Sequence, residues 1–150
     1  MIYQNEIHDE ERAFYGIKDT TIRNCKIDGP ADGESAFKEC KNIVVEDTYL
    51  NLRYPFWHDD NVKITGCEMT EGCRAALWYD NGVEIDNCKM HGIKALRECE
   101  NITLKNTDVI SPEFAWRSRN IKIQEVTTVG EYPFFECKNM EIEGLQMRGK

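Results

Sequence analysis

The sequence contains no apolar run that approaches the roughly 20 residues needed to span a bilayer. Its first eleven residues, Met1 to Glu11, hold four acidic residues and no apolar run, which is not the pattern of a secretory signal. Lysine and arginine do not cluster, and the net charge of the 150 residues is −8. These features argue against membrane insertion and against nucleic acid or anionic membrane as the main partner. They predict a cytoplasmic protein.

The signatures of nucleotide-binding and hydrolase chemistry are also missing. No phosphate-binding loop, Rossmann fingerprint or nucleophile elbow occurs, and the sequence implies no cofactor. No repeat contains ten consecutive residues of helical period, which favours an all-β chain. The Leu-x-x-Leu-x-Leu signature of a leucine-rich repeat is absent as well. The composition, with 31% charged and 41% hydrophobic residues, is ordinary for a single soluble domain.

One short pattern recurs along the whole chain. In its clearest copy, Ile102 and Leu104 alternate with Thr103 and Lys105, the period-two signal of a strand with one buried face. An asparagine precedes most copies, and asparagine tolerates tight-turn backbone angles. Corresponding residues of successive copies are 23, 19, 21, 19, 19 and 19 positions apart, which is typical of a repeat fold. The seven strand cores are residues 20–22, 43–45, 62–64, 83–85, 102–104, 121–123 and 140–142.

The seven cysteines follow the same repeat. Six fall in two columns, which indicates small buried side chains, and an odd number without an export signal disfavours a disulfide framework. The absence of a Cys-x-x-Cys pair disfavours a metal site. We therefore predict seven reduced thiols and no bound metal, with Cys73, which lies outside both columns, as the most exposed. The columns are Cys25, Cys67 and Cys88, and Cys40, Cys99 and Cys137.

Short strands, turn residues and a period of 19 to 23 residues predict a parallel β-helix, in which identical columns stack on each other. Crossovers between parallel strands of one sheet are normally right-handed. We therefore expect a single domain over residues 1–150, a right-handed parallel β-helix of about seven rungs with three short strands per rung. At about 4.8 Å per rung, the coil is on the order of 34 Å long. Residues 1–12 are expected to form an N-terminal cap segment.

The third strand of each rung is predicted to hold one inward and one outward column. Neighbouring residues of a strand point to opposite faces, so a purely apolar column identifies the inner side. Near the end of the chain either Ala115 or Trp116 fits the middle position, and both registers remain open. In the register without a gap, the inward column is Phe14, Phe37, Phe56, Leu77, Leu96, Ala115 and Phe134, and the outward column is Tyr15, Lys38, Trp57, Trp78, Arg97, Trp116 and Phe135.

Four runs around these strands resemble a bacterial family known as domain of unknown function 3737. The runs are DGESAFKE (32–39), NLRYPFWHD (51–59), CRAALWY (73–79) and HGIKALREC (91–99). The resemblance extends from residue 11 to about residue 144. It implies a right-handed β-helix of the pectate-lyase type in a bacterial protein, and it supplies no established activity. It also implies that this chain is shorter at its C-terminus than its relatives.

The outward column of the third strand supplies the candidate binding residues. Aromatic rings recur once per rung, about 4.8 Å apart, which is close to the length of one sugar residue. Basic residues near the start of the strand suit acidic sugars, and the same surface also fits a protein interface or a cover over a flat sheet. We predict a non-catalytic binding or scaffold module with a carbohydrate or protein partner. Its candidate binding residues are Arg53, Trp57, Arg74, Trp78, Tyr79, Lys94, Arg97 and Trp116.

Catalysis is the alternative hypothesis. Glycoside hydrolysis uses two carboxyl groups roughly 5 to 9.5 Å apart, and Asp59 and Asp80 occupy equivalent positions on adjacent rungs. His58 is the candidate acid–base residue because imidazole often transfers protons in enzymes. Together with Glu98, these residues suggest a carbohydrate-active enzyme of the glycoside hydrolase or polysaccharide lyase type. A cleft that gathers all four residues would favour catalysis, whereas a flat aromatic ladder would favour binding.

The sequence after the last strand core predicts an open end of the coil. Residues 140–142 are followed by Leu145, Met147 and a short polar tail, which cannot fold back over a rung. The end of a solenoid exposes unpaired strand edges and an apolar cross-section, and natural proteins cover both. We therefore expect either further rungs beyond this chain or an end-to-end oligomer.

Overall fold

The computed structural model describes residues 1–10, 12–29 and 35–148, and these residues form strands joined by turns and bends. The strands, in chain order, are β1 (Ile2–Gln4), β2 (Ile7–His8), β3 (Lys18–Arg23), β4 (Lys26–Asp28), β5 (Phe37–Lys38), β6 (Lys41–Glu46), β7 (Tyr49–Asn51), β8 (Phe56–Trp57), β9 (Asp60–Thr65), β10 (Glu68–Met69), β11 (Leu77–Trp78), β12 (Asn81–Asp86), β13 (Lys89–Met90), β14 (Leu96–Arg97), β15 (Glu100–Lys105), β16 (Asp108–Ile110), β17 (Arg119–Val129) and β18 (Lys138–Arg148).

These strands stack as a parallel β-solenoid of about seven turns, which confirms the predicted fold class. The first and second strands of the rungs share one sheet, in the order β1-β3-β6-β9-β12-β15-β17-β16-β13-β10-β7-β4-β2, with β18 beside β17. The third strands form a separate sheet in the order β14-β11-β8-β5. The predicted columns are in register, since Val83 pairs with Val62 on one side and with Ile102 on the other.

Single residues in the left-handed backbone region turn the coil. In the rung between β12 and β15, Asn87, Lys94, Glu98 and Asn101 have φ values of 56°, 56°, 50° and 57°. The equivalent residues of the other rungs also have positive φ, and Ala115 and Phe134 add a fifth such position to their rungs. This conformation is unfavourable for most L-residues. The stacking of identical corners on successive rungs holds it in place.

The asparagine column forms a ladder of side-chain amides along one of these corners. Nδ2 of Asn61 donates to Oδ1 of Asn42 at 3.0 Å. Gly82 occupies the next position of the column, and Nδ2 of Asn101 instead donates to Oδ1 of Asn81 at 2.9 Å. Asparagine suits this column for two reasons: it tolerates the positive φ of the corner, and its side-chain amide bonds to the neighbouring rung.

Among the described strands, the rungs differ in length in the interval between the second and the third strand. β4 begins eleven residues before β5, and β10 begins nine residues before β11. The same interval is seven residues from β7 to β8 and from β13 to β14. The four or two extra residues of the longer rungs therefore lie between the second and third strands.

The inward columns build a continuous apolar core. Phe14, Phe37 and Phe56 stack with ring centroids 5.3 and 5.1 Å apart and interplanar angles of 6° and 8°. Leu77 and Leu96 continue this column, and both are fully buried. The predicted inward column of the third strand is confirmed over these five rungs.

The structure also selects one of the two registers near the end of the chain. Arg97 forms a parallel bridge with Trp116, which places Ala115 in the inward column. Phe114, beside it, is buried as well. Phe134 was expected to be buried but is only half-buried. It packs against Phe114 at 5.8 Å, and no further rung covers it in the part of the chain that the structure describes.

All seven cysteines are free thiols and six are buried, which confirms that the two cysteine columns point inward. The prediction for Cys73 is wrong, because this residue is fully buried and its thiol donates to the carbonyl oxygen of Leu50 at 3.1 Å. Cys40 likewise donates to the carbonyl oxygen of Phe14 at 3.2 Å. Burial raises the pKa of Cys73 to about 11, and burial followed by the nearby carboxyl of Asp59 raises the pKa of Cys40 to about 12.

These thiols are therefore expected to be unreactive in the folded protein. A thiol reagent should react natively with at most one cysteine, the half-buried Cys137, and with seven after unfolding in guanidinium without reductant. Cys137→Ser should abolish the native reaction and lower the unfolded count to six. Two or more fast native thiols would contradict the inward columns, and an unfolded count of five or fewer would reveal disulfides.

The strands β1 and β2 extend the coil at its N-terminal end, where residues 1–12 are expected to form a cap segment. β1 pairs with β3 and β2 pairs with β4, both in parallel.

At the opposite end, β18 pairs with β17 alone among the described strands. Ile142 and Met147 occupy columns that are buried in earlier rungs, yet they are 52% and 53% exposed. Association of copies through this edge stays a prediction.

No helix that could cross a bilayer occurs within residues 1–10, 12–29 and 35–148.

Candidate functional site

The strand-three face is the outer surface of the sheet β5, β8, β11 and β14, extended by the bridge to Trp116. Each of these strands is two residues long, with its first residue buried and its second turned outward, as in Phe56 and Trp57. Charged and aromatic residues flank the strands at the left-handed corners. The face comprises Lys38, Arg53, Tyr54, Trp57, His58, Arg74, Trp78, Tyr79, Lys94, Arg97, Trp116 and Arg117.

A pair of stacked tryptophans with a cation at each end forms the centre of this face. The rings of Trp57 and Trp78 are 5.7 Å apart and inclined by 12°. Nζ of Lys38 lies 4.5 Å from the centroid of Trp57, and Cζ of Arg97 lies 5.2 Å from the centroid of Trp78. Because the four residues come from consecutive rungs, the order along the coil is cation, ring, ring, cation. Each cation–π contact contributes about 0.5–1 kcal/mol at an exposed site.

Three further rings surround the tryptophan pair. Tyr54 contacts both rings, with centroids 6.1 Å from Trp57 and 5.7 Å from Trp78. Tyr79 lies 5.1 Å from Trp78 and stacks on His58 at 5.0 Å with an angle of 17°. Tyr54, His58 and Tyr79 all have positive φ, so the corners of the coil place these rings on the face.

This packing changes what the tryptophans offer to a ligand. The two rings cover each other and carry Lys38 and Arg97 on their outer sides, so they leave to solvent only ring edges without the indole N–H group, which is buried in both tryptophans. Trp116 is also engaged, since its indole N–H donates to the carbonyl oxygen of Tyr132. A sugar packs on the face of an aromatic ring, so the stacking platform expected from the sequence does not form at the tryptophan pair. Aromatic edges carry partial positive charge and suit electron-rich groups.

Positive charge is concentrated on this face. Residues 35–39, 53–58, 74–79, 94–98 and 113–117 contain six Lys or Arg and three Glu, a net charge of +3. The formal charge of the whole chain is −8, so the rest of the molecule carries a formal charge of −11, in which Asp59 and Asp80 are counted as ionised. The coil therefore has one basic face on an acidic body.

The basic side chains of the face differ in their burial and in their ion pairs. Lys94 lies 3.9 Å from Glu113, and Nε of Arg97 lies 3.3 Å from Glu98. Arg53 is half-buried, whereas Arg74 is exposed and forms no ion pair within the described residues. The side chains of these two ion pairs are 23–27% exposed, so both pairs remain accessible to an anionic partner.

The four catalytic candidates do not share a cleft. Asp59 and Asp80 are 0% and 1% exposed and point into the coil, whereas His58 is exposed on the strand-three face. Glu98 is half-buried beside Arg97. A substrate on the face reaches neither aspartate without opening the coil. The geometry gives no support to the hydrolase or lyase hypothesis.

Asp59 and Asp80 instead bond to the backbone inside the coil. Oδ1 of Asp59 accepts from the N–H of Cys40, and Oδ1 of Asp80 accepts from the N–H of Asp59, both at 2.7 Å. Further along the same column, the hydroxyl of Ser118 accepts from the N–H of Cys99 at 3.2 Å. Each polar side chain thus satisfies a buried backbone donor of the preceding rung, which is costly to leave unpaired.

The second oxygen of each aspartate has no hydrogen-bond partner in the described part of the chain. Burial raises the pKa of Asp59 to about 8, against the opposing effect of the bond from Cys40. Burial, and then the nearby charge of Asp59, raises the pKa of Asp80 well above its ordinary range. A neutral acid is far cheaper to bury than an unpaired carboxylate, so burial favours the protonated form of both groups.

Lys38, Tyr54 and His58 belong to the face, although none was predicted as a binding residue. Lys38 was identifiable from the sequence because it occupies the outward column one rung before Trp57. Tyr54 gave no such signal, since its ring reaches the tryptophans only through the left-handed corner at which it lies.

A family model described as "Protein of unknown function (DUF3737)" matches residues 1–150. The chain belongs to this family. The resemblance predicted from the four runs is thereby confirmed for DUF3737, whose description assigns no activity.

Other comparisons add little to the DUF3737 assignment. No curated protein matches the chain. Among solved structures, the DUF3737 chain is similar to a trypsin-treated form of QnrB1, a plasmid-mediated fluoroquinolone resistance protein, with 10% identity, a TM-score of 0.41 and coverage of 98% of this chain and 91% of that one. At that TM-score the likeness carries no weight for function. Neither comparison connects the chain with pectate lyases, so that part of the resemblance stays a prediction.

Proposed function

We propose that this DUF3737 protein is a non-catalytic binding module that recognises a carboxylate-bearing polymer through the strand-three face. The observation that supports this proposal is the segregation of charge, with +3 on the face and −11 on the rest of the molecule. A polyanion is attracted to this face and repelled by the others, which selects both the surface and the class of ligand.

The spacing of the basic residues supports a polymer as the ligand. Arg53 and Arg74 occupy one column on adjacent rungs, and Lys94 follows on the next rung. Adjacent rungs are about 4.8 Å apart, so Arg53 and Arg74 form a line with that repeat along the coil axis, and Lys94 lies beside this line, one residue further along its own rung. An extended chain with carboxylates at similar intervals aligns with this line. Because the faces of Trp57 and Trp78 are covered, charge and ring edges supply the contacts in place of ring stacking.

Binding assays with three polymers test this proposal. Polygalacturonate offers carboxylates on sugars, polyglutamate offers them on a peptide chain, and dextran is a neutral reference. We expect a carboxylate polymer to bind, with affinity that falls as salt rises from 50 to 300 mM, and dextran not to bind. The stronger of the two anionic polymers identifies the source of the carboxylates.

Charge removal on and off the face supplies the matched control. The double variant Arg74→Gln, Lys94→Gln should weaken binding of the better polymer roughly tenfold, about 0.7 kcal/mol per charge. Lys63→Gln, Lys122→Gln removes the same charge from exposed positions of β9 and β17 and should leave binding within about twofold. Equal weakening by the two double variants, or no binding of either anionic polymer at 50 mM salt, would refute the proposal.

A further inference from the structure

We propose that Asp59 and Asp80 form a proton-dependent latch beneath the strand-three face, closed while both carboxyl groups are neutral and released when they ionise. As a regulator of ligand binding, the latch rests on the proposed function. As a conformational device, it rests only on the placement of the two acids, their hydrogen bonds and the groups that surround them.

The two acids lie directly under the ring cluster of the face. Asp59 follows His58 and Asp80 follows Tyr79, and the rings of His58 and Tyr79 stack at 5.0 Å. Each acid is joined by one peptide bond to a left-handed corner residue that carries a ring. A shift of either acid therefore moves a corner, and through Tyr79 it moves Trp78, whose ring lies 5.1 Å away.

Hydrogen bonds lock the acids to their neighbouring rungs. Asp59 bonds back to the N–H of Cys40, and Asp80 bonds back to the N–H of Asp59, so three consecutive rungs are connected through two side chains. The second oxygen of each acid is buried and unpartnered within the described residues. A neutral carboxyl group is therefore accommodated at each of these positions, whereas an ionised carboxylate would be buried there without solvation.

The groups that face the acids offer no positive charge. Cys40 and Glu39 come from the preceding rung, Cys99 from the following rung, and Asp60 from the next residue of the chain. No ion pair joins either acid to a lysine, arginine or histidine in the part of the chain that the structure describes; His58 itself points outward. An ionised acid at this position gains solvation only if water enters, and water enters only if the corner opens.

The direction of the pH effect follows from proton linkage. The pKa of Asp59 in the folded protein is about 8, and that of Asp80 is also raised, whereas both take ordinary values in the unfolded chain. Between about pH 4 and pH 8 the folded protein therefore holds protons that the unfolded chain has lost. The contribution of the pair to stability is complete below this range, declines as the pH rises and is lost above the folded pKa of each acid. Release of the latch accordingly accompanies alkaline pH.

Spectroscopy without ligand tests the latch independently of the proposed function. Near-ultraviolet circular dichroism reports the packing of Trp57 and Trp78, and we expect this signal to decrease with a midpoint near pH 8. The melting temperature should fall by roughly 5–10 °C between pH 6 and pH 9. Asp59→Asn, Asp80→Asn keeps an acceptor for each N–H but cannot ionise, so both signals should stay flat over this range. His58→Gln should keep the transition, because the ionising groups lie inside the coil.

A second double variant keeps the test valid if Asp59→Asn, Asp80→Asn fails to fold. Ser118 performs the same bonding in the same column, so Asp59→Ser, Asp80→Ser uses a side chain that this coil already accommodates. The serine variant should also lose the transition. A wild-type protein with constant tryptophan signal and melting temperature from pH 6 to pH 9, or a transition that survives in both double variants, would overturn the latch.

Polymer binding then separates the two proposals. If polygalacturonate or polyglutamate binds, its affinity for the wild-type protein should fall at least threefold from pH 7 to pH 9, and the asparagine variant should retain it. Absence of polymer binding at every pH, together with a tryptophan transition that the variants abolish, would reject the proposed function and leave the latch supported. Binding that is independent of pH in the wild-type protein would reject the latch as a regulator.

Discussion

Replacing Phe56 by alanine is expected to lower the free energy of unfolding by about 3–5 kcal/mol. Phe56 is fully buried and stacks on Phe37 at 5.1 Å, while Leu77 pairs with it from the next rung. The substitution removes a large ring from a column that cannot collapse, because the backbone on both sides is fixed by parallel strand pairing. Denaturation in urea, followed by circular dichroism, measures the change.

Phe135→Ala is the matched control for this substitution. Phe135 belongs to the outward column, is 46% exposed and contacts Trp116 at 4.9 Å. The same chemical change there should cost no more than about 1 kcal/mol. Equal losses for Phe56→Ala and Phe135→Ala would show that the inward and outward columns have been assigned wrongly.

Gly92→Ala is expected to destabilise the coil by about 3 kcal/mol or more, although it adds only one methyl group. Gly92 is buried at the edge where the chain passes from β13 toward β14. A Cβ at this position would collide with the carbonyl oxygen of Cys73 and lie 2.9 Å from its carbonyl carbon. These are backbone atoms of the preceding rung, so relief of the contact requires the two rungs to separate. The loss is measured by thermal and chemical denaturation.

Gly16→Ala distinguishes a collision from a general effect of removing glycine. A Cβ at Gly16 meets nothing within 4 Å, and the main penalty is its φ of +70°. That conformation costs an L-residue about 1 kcal/mol. If Gly92→Ala is no more harmful than Gly16→Ala, the close approach of the rungs at Cys73 does not exist in solution.

The repeat made most of this fold predictable. A column with constant spacing can only be satisfied by strands that stack in register, and pairs such as Val62 with Val83 lie where the spacing placed them. The pairing of the first two strands was not predictable for a related reason. Ile2 and Ile7 are too few to show a period, so pairing of β1 and β2 with later rungs was not visible in their sequence.

The burial of Asp59 and Asp80 could have been predicted from the repeat. Asp59 and Asp80 appeared as polar turn residues, so they were grouped with the exposed His58 as catalytic candidates. Their column, however, also contains Cys40 and Cys99, which the repeat had already identified as buried. The column therefore indicated a buried position for both residues, although aspartate is a residue type that is usually exposed.

The orientation of the rings was not predictable from the sequence. An outward column containing Trp57 and Trp78 indicates proximity, but it does not decide between rings that lie flat on the sheet and rings that stack on each other. That choice depends on Tyr54 at its corner and on the cations of Lys38 and Arg97. These contacts involve side-chain rotamers, which period and composition do not specify.

The edge at which the rungs change length determines where this protein can accept insertions and where it can accept only substitutions. Loop-closure entropy rises only slowly with length, so an insertion between the second and third strands has little effect on the free energy of a coil whose strands keep their register. The rungs that begin at β3 and β9 already carry four and two additional residues there. Elsewhere in a rung, one added residue would displace a corner and turn every following side chain to the wrong side of the sheet. New sequence can therefore be acquired at this one edge, beside the basic face, while the rest of the coil changes only by substitution.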